Sequence, residues 1–335
     1  MIPQSHPLSP QATWQHALAN AITDPEILLA QLGLTGSLEA INGEILKNFP
    51  LRVPQSYVRK MRYADKSDPL LRQVFPLIDE SIEKDDFVTD PVGDQLAIAS
   101  PGLLQKYHGR ALLLTTGACA IHCRYCFRRH FSYSDSNPLA SQWQATIEAI
   151  NKDPSITEVI LSGGDPLNLS DDKLANIVNE LASIPHIKRC RIHTRLPIVL
   201  PERITHTLLE VLASSKLQIV MVIHANHSNE LVDDAAKAIT TLAKTGIQML
   251  NQSVLLRGIN DNVDTLQQLS ERLSELAVMP YYLHLLDPVA GASHFNVDES
   301  TGITLIKQLR VRLSGYLVPR LVREQQGMPS KTVIC

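Results

Sequence analysis

Nothing in this 335-residue chain approaches the roughly 20 consecutive apolar residues that a membrane-spanning helix needs. The longest apolar candidates, such as ALLLTTGACAI, have the length of a buried strand and its loop. No membrane partner is expected. The first residues, MIPQSHPLSPQATWQHAL, do not follow a cationic stretch with an apolar core, so no secretory signal is expected either. An excess of one charge is also missing: 31 Lys and Arg stand against 34 Asp and Glu, a formal net charge of −3. That balance offers neither nucleic acid nor an anionic membrane a matching field. Internal repeats and low-complexity stretches are absent. Cysteines number only five, an odd count, and three of them fall within eight residues. A secreted disulfide framework would use an even number, more widely spaced. The reading is a protein of the reducing cytoplasm, with Cys190 and Cys335 as ordinary thiols. What is present, 44% apolar and 19% charged residues, is globular composition, long enough for one large α/β domain plus a smaller appendage.

Three regions are expected: a helical N-terminal region over 1–95, an α/β core over 96–320 and a C-terminal tail over 321–335. In the first, WQHALANAITDPEILLAQLGL reads as two short amphipathic helices broken at Asp24-Pro25, because proline disfavours helical geometry in the residue before it. RVPQSYVRKM and DPLLRQVFPLIDE continue in the same style. Beyond residue 110, β-branched or leucine-rich runs alternate with helical patterns. Strands are expected at 111–116, 157–162, 188–194, 218–223, 247–253 and 280–286, and helices at about 138–151, 171–184, 202–215, 228–245, 262–276 and 299–313. This alternation implies parallel strands joined by right-handed crossovers. Six units are too few for a closed (β/α)₈ barrel, so an open partial (β/α)₆ barrel is the economical fold and a doubly wound sheet the runner-up.

Polar residues follow each expected strand. They are the cysteine loop, then Gly163, Gly164 and Asp165, then Thr194 and Arg195, then His224, Asn226 and His227, then Asn251, Gln252 and Ser253, and finally Asp287. In a parallel barrel the carboxyl ends of all strands face one side, where active sites are built. Any one of these residues alone reads as a turn or a helix cap; six in register converge on one pocket.

The cysteine loop reads GACAIHCRYCFRRHF, with Cys119, Cys123 and Cys126 in C-x₃-C-x₂-C spacing. Three thiolates on one short loop can ligate three irons of a 4Fe–4S cubane, since soft sulfur suits iron–sulfur chemistry. With no fourth cysteine nearby, one iron is left open for a substrate. Zinc on the three cysteines plus His122 or His130 is the alternative, although the spacing is unlike the paired C-x₂-C of zinc ribbons.

With Tyr125 as its aromatic, C-x₃-C-x-aromatic-C resembles the signature of the radical S-adenosylmethionine superfamily. SGGDP at 162–166 is similar to that superfamily's glycine-rich segment beside the methionine amino group; on its own it would be a turn and cap. LLLTTGACAIHCRYCFRRHF, IHTRLPIVLPERIT, IHANHSNEL, NQSVLLRGIND, YYLHLLDPVAGASHF and SGYLVPRLVRE resemble the lysine 2,3-aminomutase family more closely, from about residue 85 onward. The resemblance implies an enzyme that cleaves S-adenosylmethionine, takes an electron from an external donor such as flavodoxin or ferredoxin, and uses pyridoxal 5′-phosphate to move the α-amino group of lysine to the β-carbon.

Residue roles follow from the same resemblance. Lys331, in GMPSKTVIC, is the implied Schiff-base lysine, and Arg110, nine residues before Cys119, the implied phosphate ligand, together with Asn251, Gln252 and Ser253. A planar guanidinium suits phosphate oxygens. Arg128 is implied for the substrate carboxylate, and Asp287 and Glu324 for the distal ammonium. Gly163, Gly164, Asp165, Thr194, Arg195, His224 and Asn226 are implied around S-adenosylmethionine. Three departures from the longer family members stand out. Their zinc-binding cysteines have no counterpart, Asn262 occupying one such position, so no zinc is expected. The glycine run before the lysine shrinks to Gly327-Met328-Pro329-Ser330, and Glu324 replaces a shorter aspartate. This short form most resembles the branch that supplies β-lysine for modifying translation elongation factor P. The rivals are an aminomutase for another amino acid, such as glutamate, which two carboxylates would repel, and a non-catalytic zinc or iron–sulfur protein.

Overall fold

The computed structural model describes residues 10–38, 43–133 and 142–335. Helices α1 (Pro10–Ala19) and α2 (Pro25–Gln31) break where expected: the Asp24 carboxylate accepts the Glu26 N–H at 2.9 Å, and Pro25 starts the second helix where no donor is needed. Three short helices follow, α3 (Gly43–Asn48), α4 (Gln55–Val58) and α5 (Pro69–Arg72), the last capped by Asp68. Leu28, Tyr57, Leu70 and Phe75 from this region are buried in one core with the strands that follow.

Among the described residues, ten strands form one sheet in linear chain order. They are β1 (Ile98–Ser100), β2 (Leu103–Tyr107), β3 (Arg110–Thr116), β4 (Glu158–Gly163), β5 (Arg189–Thr194), β6 (Gln218–Ile223), β7 (Gln248–Val254), β8 (Met279–His284), β9 (Arg320–Arg323) and β10 (Thr332–Val333). Strands β3 to β9 are parallel; β1, β2 and β10 add antiparallel edges. The six expected strands are β3 to β8, matched to within one residue or two. The hairpin β1–β2, the seventh parallel strand β9 and its partner β10 were not anticipated, for each is too short to show a period.

Crossovers are made by α6 (Trp143–Lys152), α7 (Asp171–Ser183), α8 (Leu196–Val199), α9 (His206–Ala213), α10 (Asp233–Lys244), α11 (Val263–Glu275) and α12 (Glu299–Arg312). Residues 138–141 of the first expected helix lie outside the described residues. The helix expected from 202 starts later, because Pro201–Arg203 makes a separate 3-10 turn and Thr205 caps α9 by accepting the Leu208 N–H. Likewise Ser228–Glu230 is a 3-10 turn ahead of α10. Asn262 caps α11, its side chain accepting the Thr265 N–H at 2.9 Å. Among the described residues no helix is long and apolar enough to cross a membrane.

The sheet is open but strongly curled. Lys106 Nζ on β2 lies 2.9 Å from Glu324 Oε1, just beyond β9. In a flat sheet these strands would stand about 34 Å apart, seven spacings of ~4.8 Å. The fold is therefore a partial barrel of α/β units, its two sides bridged by side chains. Alternation along β4 and β5 follows: Val159, Leu161, Cys190 and Ile192 are buried against the helices, while their neighbours are half-buried and face inward.

Candidate active site

The inward faces enclose a cavity of about 480 Å³. Arg110, the first residue of β3, lines one end, and the cysteine loop that follows β3 lines the other. Seven strand residues span about 23 Å. The site thus runs the length of the barrel, deeper than the carboxyl-end pocket that the strand-end residues imply.

Cys119, Cys123 and Cys126 all line the cavity. Their loop is clamped by the N-terminal region. His122 N donates to the Arg52 carbonyl at 3.1 Å and Arg124 N to that of Gln73 at 2.8 Å. Glu80, buried, pairs with both Arg124 (2.5 Å) and Arg129 (2.6 Å). Burial, reinforced by Cys123, pushes the Cys126 thiol up to about 11, so a bound cation is what would hold it as thiolate. His122 Nδ1 lies 2.8 Å from the Pro50 carbonyl oxygen and His130 Nε2 3.0 Å from that of Ala290; neither ring lines the cavity. Cys190 faces the helices from β5, and Cys335 packs beside a separate apolar cluster. Three cysteines of one loop on the cavity wall, with no fourth cysteine beside them and neither His122 nor His130 lining it, fit a three-ligand cluster better than tetrahedral zinc.

Gly163 and Gly164 are required by the cysteine loop itself. A Cβ on Gly164 would sit 2.3 Å from the Ala118 carbonyl oxygen, and one on Gly163 (φ +116°) 2.5 Å from that of Thr116. Asp165 then ties β4 to β5: its carboxylate accepts from Thr194 Oγ1 and Arg195 N, each at 2.7 Å, and from Leu167 N at 3.0 Å. Burial outweighs these donors and raises its carboxyl to about 6. Arg195 Nη1 reaches Cys123 Sγ at 2.7 Å, and Nη2 pairs with Glu230 Oε2 at 2.7 Å. Asn226 is fully engaged, accepting from Val254 N at 2.8 Å and donating to Gln73 Oε1 at 3.0 Å. His224 Nε2 is 3.3 Å from His193 Nδ1, and burial holds His224 neutral, at about 4.

The cavity wall also carries a line of alternating charges. Arg128 Nε donates to Asp94 Oδ2 at 2.6 Å, Asp94 Oδ1 meets Lys106 Nζ at 2.6 Å, Lys106 meets Glu324, and Glu324 Oε2 meets Lys331 Nζ. Asp287 lines the same cavity. At the far end, Arg110 lies over the Tyr107 ring at 4.8 Å, with Arg191 and Arg320 also on the wall.

One trio needs correction. Gln252 faces the cavity, but Asn251 and Ser253 point outward and bond the Ala225 backbone. Successive strand residues face opposite ways, so these three cannot share one ligand. Sequence reasoning missed Gln73, Asp94 and Lys106, which come from segments with no motif, and His193, Glu230 and His284, which lie inside family-like segments but were given no role. Among the described residues, Arg110 Nε, His193 Nε2, His284 Nε2 and Asp287 Oδ1 are buried without a hydrogen-bond partner, and all four residues line the cavity. Buried polar atoms are rarely left unpaired, so these fit a polar, anion- and cation-bearing guest.

Residues 113–269 match the family model of the radical SAM superfamily. The chain is 48% identical to the L-lysine 2,3-aminomutase of Escherichia coli (strain K12), over 95% of this chain and 93% of the relative. It is 43% identical to that of Haemophilus influenzae (99% and 98%) and 34% identical to that of Clostridium subterminale (96% and 77%). With radical chemistry written in the cysteine loop and relatives matched across almost the whole chain, this protein belongs to the lysine 2,3-aminomutase family of radical S-adenosylmethionine enzymes.

Proposed function

We propose that the chain is an isomerase that converts L-α-lysine to β-lysine by migration of the amino group from C2 to C3. One observation carries the reading: a single cavity bears three cysteines at one end, Lys331 within it, and a cationic Arg128 and anionic Asp287 and Glu324 on its wall. The cofactors of this family are a 4Fe–4S cluster, S-adenosylmethionine and pyridoxal 5′-phosphate. When bound, they supply a 5′-deoxyadenosyl radical and an electron-delocalising ring across which nitrogen moves.

The protein's own groups bind and orient. Cys119, Cys123 and Cys126 would hold the cluster. Gly163, Gly164, Asp165, Thr194, Arg195, His224 and Asn226, all on the cavity wall, would line the S-adenosylmethionine site. Arg110 and Gln252 hold the phosphate, while Asn251 and Ser253 brace β7 from behind. Lys331 anchors the cofactor. Arg128, fixed by Asp94 and by Ser162 Oγ at 3.1 Å, takes the substrate carboxylate. Asp287 and Glu324 take the distal ammonium, which costs too much to bury unpaired. Burial holds the imidazoles of His193, His224 and His284 neutral, so they add no charge to the cavity.

We read residues 1–95 as the clamp on the cysteine loop, 96–320 as the catalytic core and 321–335 as the segment that delivers Lys331. The enzyme works in the cytoplasm, draws its electron from a flavodoxin or ferredoxin and supplies β-lysine for elongation factor P. Reduced, fully loaded protein incubated with lysine, norleucine and glutamate, followed by NMR of the products, tests the reading. β-Lysine is the expected product, and β-glutamate in its place would overturn the assignment.

A further inference from the structure

Arg195 presses a buried cation against one cysteine of the three. Its Nη1 lies 2.7 Å from Cys123 Sγ, while Nη2 is held by Glu230 Oε2 (2.7 Å), Gln73 Oε1 (2.7 Å) and the Tyr57 hydroxyl (3.2 Å). The guanidinium carbon lies 5.4 Å from the Tyr57 ring centroid and 5.7 Å from that of Tyr125. Arg195 is 5% exposed and Glu230 0%. Glu230 is locked in turn, its Oε1 accepting from Asn226 N (2.9 Å), His227 N (3.1 Å) and Gln73 Nε2 (3.2 Å). The fork therefore has its orientation set from behind, with one edge aimed at sulfur. Holding a charge pair this dry is costly, and ion pairing alone gives no reason to direct it at one cysteine sulfur.

We propose that Arg195 is a positioning residue that sets the reduction potential of the iron–sulfur cluster through Cys123, with Glu230 as the counter-charge that limits its effect. The proposal rests on the reading of Cys123 as a cluster ligand. Reduction adds one electron to the cluster, taken from an external one-electron donor protein that is oxidised by one electron; no bond or proton changes at Arg195. Hydrogen bonds to ligating sulfur and nearby charge are among the levers that set cluster potentials. A donor and cation on the sulfur favour the more negative, reduced cluster. Glu230 cancels part of that field.

The test is a redox titration of the reconstituted holoprotein, followed by EPR of the reduced cluster without added S-adenosylmethionine. Arg195→Met should lower the reduced-to-oxidised ratio at a given solution potential at least tenfold, about 59 mV for a one-electron couple. Glu230→Gln should shift it the opposite way. Opposed signs are what loss of structure cannot produce. If both variants keep their iron and shift together, or neither shifts, the proposal is overturned. If a variant fails to hold iron, wild-type protein labelled with guanidino-¹⁵N arginine decides: a nitrogen coupling to the reduced cluster supports the contact, and its absence overturns it. A cluster unaltered in Cys123→Ala would instead sink the ligand assignment beneath the proposal.

Discussion

Lys331 and Glu324, seven residues apart on either side of the turn that reverses β9 into β10, are joined by an ion pair. Glu324 also holds Lys106, at 2.9 Å. Burial alone would raise the Glu324 carboxyl, but the two ammoniums outweigh it and hold it down at about 2. Asp287 has the opposite fate. Burial, with Glu324 nearby, pushes its carboxyl up to about 7 against the partial relief that Lys331 gives. Two carboxylates on one cavity wall therefore differ in charge at neutral pH, one fixed and one poised.

The poised carboxyl makes substrate binding pH-dependent. Asp287 is raised from its ordinary 3.8 to about 7. In the substrate-free protein its contribution to stability is full below the lower value and is lost as pH rises toward the upper one. An ammonium guest needs the ionised form, so lysine should bind more tightly as pH rises from 6 to 8 and should release up to one proton on binding near neutrality. Calorimetry in two buffers of different ionisation enthalpy measures that proton. Asp287→Asn should abolish both the pH slope and the release; a wild type with neither would show that Asp287 does not meet the ammonium.

The three loop cysteines should be equivalent in need. Cys119→Ala, Cys123→Ala and Cys126→Ala should each lose most of the iron and all cleavage of S-adenosylmethionine. Cys190, fully buried behind β5, is the control. Cys190→Ala should cost about 1 kcal/mol of stability and leave iron content unchanged. Iron and sulfide analysis of the four variants makes the comparison.

The strands β3 to β8 were legible because each is a buried run bounded by helical periodicity, and the cysteine spacing was legible because a metal cluster demands it. The edge strands were not, since four residues such as RLVR at 320–323 show no period. Gln73, Asp94 and Glu230 were invisible for another reason. Gln73 follows a four-residue helix and Glu230 ends a 3-10 turn, and only tertiary packing brings them to Arg195. The outward turn of Asn251 and Ser253 was readable from strand alternation, but family resemblance grouped all three residues.

Lys331 should be separable from the cluster. Lys331→Ala should lose the visible absorption of protein-bound pyridoxal phosphate and the borohydride-trapped adduct, with iron content and the EPR of the reduced cluster unchanged. An adduct that persists in this variant would place the anchor elsewhere.

The distal end of the substrate is the most demanding case. A buried ammonium whose partner is removed costs roughly 3–5 kcal/mol. Glu324 is already shared between Lys106 and Lys331, so Asp287, with its unpartnered Oδ1, is the carboxylate with spare capacity. Asp287→Ala should therefore lower kcat/KM for lysine by about two to four orders of magnitude, at about 1.36 kcal/mol per tenfold. Glu324→Ala should act in the same direction and should also release Lys331 and Lys106, so its cofactor absorption should change where that of Asp287→Ala does not. Norleucine keeps the lysine chain and lacks the ammonium. Wild type should strongly prefer lysine, and Asp287→Ala should narrow the gap. Equal turnover of the two substrates by wild type would mean that neither carboxylate reads the ammonium.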